Sequence, residues 1–458
     1  MLLAGQRCLC DGHVMKRRHL LLGLTLAAAA DISMADDWPQ WFGPQRDGVW
    51  REPGIVEKLP AEGPELLWKA PIGNGYAGPA VSGDRVYVFD RTIKDTSESP
   101  DNPFKRGEIA GQERLHCFDS TTGKVIWSKG YDTNYTVSYA AGPRCTPVIH
   151  EGLVYTLGAE GILLVRRAES GDVVWEKDFV SLLKAKTPTW GFAATPLIEG
   201  DLLICLAAGA GSTVVAYDKT SGGERWRALS SREPGYCPPR MLVDGDKRVL
   251  LIWHPEAING LDPKSGKLLW SIPWKIKAGL TAPTPRREGK RVFFTSFYNG
   301  ATMLQFTEFD QEPKVMWQTK RTSEKRTEHL NSIIGTPVFH DGHLYGNCSY
   351  GQFRCLKAET GERLWETFEP IVKKETRWGN VFVTPHEDRY FLFNELGELL
   401  IAKLSPQGYE EISRAKLIEP DGADVRQREI VWSHPAYAHK CVFVRNDSEV
   451  KCFSLKAR

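Results

Sequence analysis

Few residues in this chain fall into spacings that carry chemistry. His340-Asp341-Gly342-His343 sets two imidazoles beside an acid, but Asp-Gly is turn chemistry and marks the bend between two strands rather than a metal site. Val243-Asp244-Gly245-Asp246 begins like an acidic calcium loop, yet it lacks the spaced acids and final Glu that would surround the ion. Gly209-Ala210-Gly211 runs into an apolar strand pattern rather than a helix, so no helix N-terminus stands behind it to receive a phosphate. G-x-S-x-G, H-E-x-x-H and P-loop patterns do not occur, and neither does C-x-x-C. Hydrolase, zinc, thioredoxin-like and c-type haem chemistry therefore have no sequence support.

Composition narrows the field further. The 458 residues carry 59 Lys+Arg against 57 Asp+Glu, a net charge of +2, without a long basic run. Recognition of nucleic acid needs a concentrated positive field on one face, so nucleic acid is not an expected partner. The one long apolar run, Leu20–Ala30, follows Lys16-Arg17-Arg18 and precedes Ser33-Met34-Ala35. Basic region, short apolar core and small residues make residues 1–35 a secretory signal, with Met15 as an alternative start. The run is too short to cross a bilayer as a helix. The mature chain is expected to be a periplasmic or secreted monomer without a transmembrane segment. Of its eight remaining cysteines, Cys441 and Cys452 flank Asn446-Asp447; a two-residue turn there would set them opposite one another, where a disulfide can form. The others read as small buried hydrophobes.

The elements that must position any site come from a repeat. A strand opening at Thr-Pro, a Gly turn, two more apolar strands and an ending Asp/Glu-x-x-(x)-Gly-x-x-x-Trp recur, with tryptophans at 127, 175, 226, 270, 317 and 365. Those steps are 48, 51, 44, 47 and 48 residues; Trp68 to Trp127 is 59, the excess falling in an inserted loop over 91–112. Four short strands per period is the pattern of a propeller blade, and the Trp-to-Trp spacing places a large ring where blades meet. Thr-Pro and Gly punctuation excludes helical repeats. A degenerate unit over 379–414 and three strands to the C-terminus follow, the last lacking a fourth strand that Glu65-Leu66-Leu67-Trp68 can supply. The expectation is an all-β, eight-bladed β-propeller of four-stranded antiparallel blades over 65–458, closed by pairing of N- and C-terminal strands. Residues 36–64 form an N-terminal strap, expected on the outside of the ring.

The repeat ending, with Thr-Pro opening the next unit, resembles the pyrroloquinoline-quinone-like propeller repeat. Trp38-Pro39-Gln40-Trp41-Phe42-Gly43-Pro44 resembles the segment that opens exported bacterial members of that family. The resemblance covers 38–458 and implies one of two kinds of member. One is a quinone-dependent dehydrogenase with an Asp base, calcium and often an adjacent-cysteine disulfide; the other is a non-catalytic scaffold of the outer-membrane assembly type. This chain has no Cys-Cys pair and no matched Glu, Asn and Asp set at the calcium and base positions. A cofactor-free binding or scaffold module for a protein or saccharide partner is therefore expected, the alternative being an alcohol or sugar oxidoreductase using pyrroloquinoline quinone with calcium. No catalytic or metal residue is assigned. Residues just ahead of each inner strand should rim the channel: Tyr76, Tyr139, Trp190, Tyr236, Asn331, Trp378 and Trp432, with Arg144 and Arg240 a step further in, placed to receive a carboxylate.

Overall fold

A computed structural model describes residues 36–95, 102–424 and 426–457. The expected signal at 1–35 and the stretch 96–101 of the insertion lie outside the described residues.

Among the described residues eight four-stranded antiparallel sheets follow one another in chain order, each built from consecutive strands except the last. Blades 1 to 7 open with inner strands Ala80–Ser82, Val148–His150, Leu197–Glu199, Arg240–Asp244, Arg286–Glu288, Val338–His340 and Val381–His386. Blade 8 comprises Ala436–Ala438, Cys441–Arg445 and Glu449–Ser454, completed by Leu66–Pro71 from the front of the chain, with Trp68 opposite Cys452. This exchange pairs both chain ends in one sheet and removes two open edges. Phe179–Leu183 is a five-residue helix capped by Asp178.

The recurring tryptophans join neighbouring blades in two ways. Each donates its indole N–H to a carbonyl in the next blade: Trp68 to Ser120, Trp127 to Ala168, Trp175 to Lys219, Trp226 to Pro263, Trp270 to Phe309, Trp317 to Ala358 and Trp365 to Ser405. Several rings also lie flat on the glycine of the next unit's ending. A methyl group on Gly266 would sit 2.4 Å from Trp226, and one on Gly123, Gly171 or Gly222 would lie 2.6, 2.7 or 2.7 Å from Trp68, Trp127 or Trp175. Gly and Trp of the motif are thus one contact, shared between adjacent repeats. The joint between blades 7 and 8 has no such tryptophan. There Leu59 of the strap donates its N–H to Ser413, and Val56 and Ile412 pack on the same core cluster.

Three expectations change. The strap lies inside the ring: Trp38 pairs with Val81, Ile149 N–H binds Pro39 O, and Trp50 N–H binds Pro385 O. The inner strands expose unpaired backbone groups along the channel, and the strap satisfies several of them. Part of the 91–112 stretch is strand rather than loop, since Arg85–Ile93 and Ile109–Asp119 pair as far as Ile93 and Gly111. In the last hairpin Arg445 pairs with Val450, two residues beyond the expected register, so Cys441 faces Ser454 and Cys452 faces Phe443. The two cysteines remain diagonal neighbours whose side chains meet, both as free buried thiols.

Candidate functional site

The loops that enter the inner strands and the turns between second and third strands lie at one end of the ring. Their side chains converge on a cavity of about 280 Å³. Seven of the nine expected rim residues line it: Tyr76, Tyr139, Arg144, Trp190, Tyr236, Trp378 and Trp432. Two do not. Asn331 is buried behind the wall, its amide donating to Phe297 O and Ser323 O, while Ile333 and Ile334 face the cavity. Arg240 lies among charged residues of the strap side, near Asp47 and Arg287.

Sequence reasoning missed several lining groups. Trp41 of the strap forms part of the wall and donates its indole N–H to Thr284 at 3.0 Å. Asp37 binds the first turn of blade 1, and Glu52 accepts from Lys440 in the first turn of blade 8. The strap therefore enters and leaves at the end opposite the cavity mouth, with Trp41 reaching up between. Phe104, from the insertion, contacts Tyr139 at 5.0 Å and Trp378 at 5.7 Å, so it spans from blade 1 to the loop entering blade 7. Pro103 O and Phe104 O accept hydrogen bonds from Tyr139 N–H and Ser138 Oγ, which fix that loop. Tyr298 and Phe297 come from the second turn of blade 5, the same end of the ring as the entry loops; that shared end was the available signal.

The rim is held under backbone strain. Tyr139 and Trp378 adopt φ of 54° and 64°, a left-handed conformation that bulky side chains avoid. Two guanidiniums face the apolar wall. Arg144 lies 5.1 Å over the Tyr76 ring and donates to the carbonyls of Gly142, Ser138 and Tyr139. Arg377 lies 4.4 Å over Trp378 and pairs with Glu324 at 2.6 Å. Glu395 holds Trp432 from behind: it accepts the indole N–H at 3.0 Å, Asn380 N–H at 3.2 Å, and pairs with Arg428. Burial pushes its carboxyl above the ordinary range, with Arg428 opposing that shift. His434 lines the cavity, hydrogen-bonds Thr146 at 2.7 Å, and is pushed down to about 4 by burial, so it is neutral near pH 7.

With the geometry in hand, comparison with known proteins is informative. Residues 111–367 match the family described as outer membrane protein assembly factor BamB. The chain belongs to this family. The match runs from blade 1 to blade 6; the strap and blades 7 and 8, which supply Trp41, Trp378 and Trp432, lie beyond it. A relative of that name from Kangiella koreensis is 26% identical over 216 residues, 46% of this chain and 49% of the relative, so the chain spans about half its length. In structure, BamB from Moraxella catarrhalis is similar at a TM-score of 0.57 with 15% identity, covering 85% of this chain and 99% of that one. A quinohemoprotein alcohol dehydrogenase from Comamonas testosteroni reaches 0.61 with 13% identity, covering 92% and 81%. These two likenesses are of fold alone.

A calcium ion beside a quinone needs oxygen ligands, carboxylates foremost. None of the lining residues is Asp or Glu, and Glu395 is committed to Trp432, Asn380 and Arg428. The cavity offers ring faces and guanidiniums, which suit a planar or apolar anionic ligand but not a calcium-bound one.

Proposed function

We propose that this chain is an exported binding propeller, a scaffold whose cavity receives an aromatic or large apolar side chain from an extended segment of a protein partner. The observation that carries the reading is the lining itself: a preformed wall of Tyr, Trp and Phe rings, two guanidiniums, and no acid–base pair among the lining residues. Rings give contact area at little entropic cost, and Arg144 and Arg377 can receive a carboxylate or main-chain carbonyl beside the inserted group. The volume sits near the lower end of ligand pockets, about 300–1,000 Å³. Matched relatives named as assembly factors for outer membrane proteins support a protein partner, and the leader expected at 1–35 supports a place outside the cytoplasm. A saccharide ligand and a quinone are the competing occupants, the latter because stacked rings and guanidiniums also suit a planar anion.

One comparison tests this. Peptides selected from a random library should carry a consensus aromatic or large aliphatic residue, and their affinity should drop at least about tenfold in Trp190→Ala and Tyr298→Ala. Oxidation of alcohols or sugars by the protein supplied with pyrroloquinoline quinone, calcium and a dye acceptor would overturn the reading. Selective glycan binding without peptide binding would replace the partner class.

A further inference from the structure

A second group of residues, apart from the aromatic cavity, is out of electrostatic balance. Arg240 and Arg286 occupy the first position of adjacent inner strands, in blades 4 and 5. Arg46 of the strap reaches between blades 3 and 4, donating to Pro196 O at 3.0 Å, Pro239 O at 3.3 Å and Gln40 Oε1 at 3.0 Å. All of its acceptors are neutral. Arg286 is 7% exposed and rests over the Phe42 ring at 5.4 Å. Among the described residues neither Arg240 nor Arg286 makes a side-chain hydrogen bond or an ion pair, and Nη1 of Arg240 is buried without a partner. Among the described residues the one carboxylate acting on Arg240 and Arg286 is Asp47, which is held by Arg51 at 2.5 Å and by Val49 N–H.

Folded proteins pair or hydrogen-bond their buried charges, and Arg is the side chain that cannot shed its charge to escape the cost. Here three guanidiniums from strap and ring are near enough to repel one another. Burial and the Arg240 charge depress Arg46 to about 10 and Arg286 to about 9. Arg46 and Arg240 keep partial exposure, which leaves a route from solvent. The unmet need is for an acceptor with several oxygens and negative charge.

We infer that Arg46, Arg240 and Arg286 form a binding site for a small oxyanion, a carboxylate or phosphate group, at the strap side of the channel. The unused donors of Arg240 and Arg286 would take its oxygens, and Arg46 would close the site from the strap. The inference is independent of what fills the aromatic cavity.

Thermal unfolding of the full exported chain is the test, with inorganic phosphate, succinate or chloride at matched ionic strength. The midpoint should rise saturably with phosphate or succinate and not with chloride; which of the two acts distinguishes the phosphate source from the carboxylate source. Arg286→Met should lose the saturable rise, weakening apparent affinity at least about tenfold. Without added oxyanion it should melt no lower than the parent, because removing one of three unpaired like charges relieves repulsion. Arg240→Met should behave alike. A linear, non-saturating response shared by parent and variants is general salt stabilisation and would overturn the proposal. So would an unchanged saturable response in both variants, or a lower midpoint for both at every anion concentration.

Discussion

Replacing Gly266 by Ala probes how the blades are joined. Gly266 has φ of +70°, and its added methyl would lie 2.4 Å from Cε3 of Trp226, which is 8% exposed and bonded to Pro263 O at 3.1 Å. The backbone conformation alone costs Ala about 1–2 kcal/mol, and forcing the methyl into the ring adds about 1–3 kcal/mol of overpacking. Trp226→Ala removes the ring at about 3–5 kcal/mol. With the ring gone, Gly266→Ala retains only its backbone cost, so the double variant should be about 1–3 kcal/mol more stable than the sum of the singles. Gly245 provides the control. It has φ of +56° with nothing within 4 Å of an added methyl, so Gly245→Ala should show the backbone cost and no coupling to Trp226. Urea unfolding of the four-variant cycle gives the coupling directly. Additivity within about 0.5 kcal/mol would refute the claim that Gly and Trp of the motif form a single inter-blade contact.

Three further outcomes are expected. Trp50 is 1% exposed and packs on His386, Phe391 and Tyr437, so Trp50→Ala should destabilise by about 3–5 kcal/mol in urea; a neutral result would place the strap outside the channel. His434 is held neutral down to about 4 against 6.5 unfolded, so the unfolded chain binds more protons between those values and stability falls as pH falls through that window. That gap corresponds to roughly 3 kcal/mol, which His434→Gln should remove from the urea-unfolding pH profile measured between pH 7 and 4. Arg428→Met leaves buried Glu395 without its cation and should cost about 3–5 kcal/mol, part of which Glu395→Gln in the same chain restores, as thermal unfolding of the single and double variants would show.

The sequence carries the ring because its joints are local. Each Gly-Trp pair is written into two adjacent repeats, and counting strands leaves a vacancy that Leu66–Pro71 fills. Rim aromatics are legible for a related reason, since each falls in the loop that enters an inner strand. Asn331 departs because its amide is spent on Phe297 O and Ser323 O behind the wall, and the positions facing the cavity pass to Ile333 and Ile334. Contacts between distant segments leave no local trace. Trp41 meets Thr284 across 243 positions, and nothing in the leader's own pattern separates an inner strap from an outer one. The unpaired inner edges of the first two blades were the physical hint, because Val81 and Ile149 need backbone partners that the ring does not supply. The Cys441 and Cys452 register shifted because Asn446 and Glu449 both belong to the turn region, with Asn446 Oδ1 accepting from Ser448 and Glu449 N–H.

Site-specific photocrosslinking in the producing cell tests the binding role most directly. A benzophenone side chain replacing Tyr298, at the cavity, should yield a discrete crosslinked protein that Trp190→Ala abolishes. The same group replacing Leu182, which is 57% exposed outside the cavity lining, should not yield that product. Crosslinking from position 182 but not from 298 would contradict the account and move the partner to the outer surface of the ring.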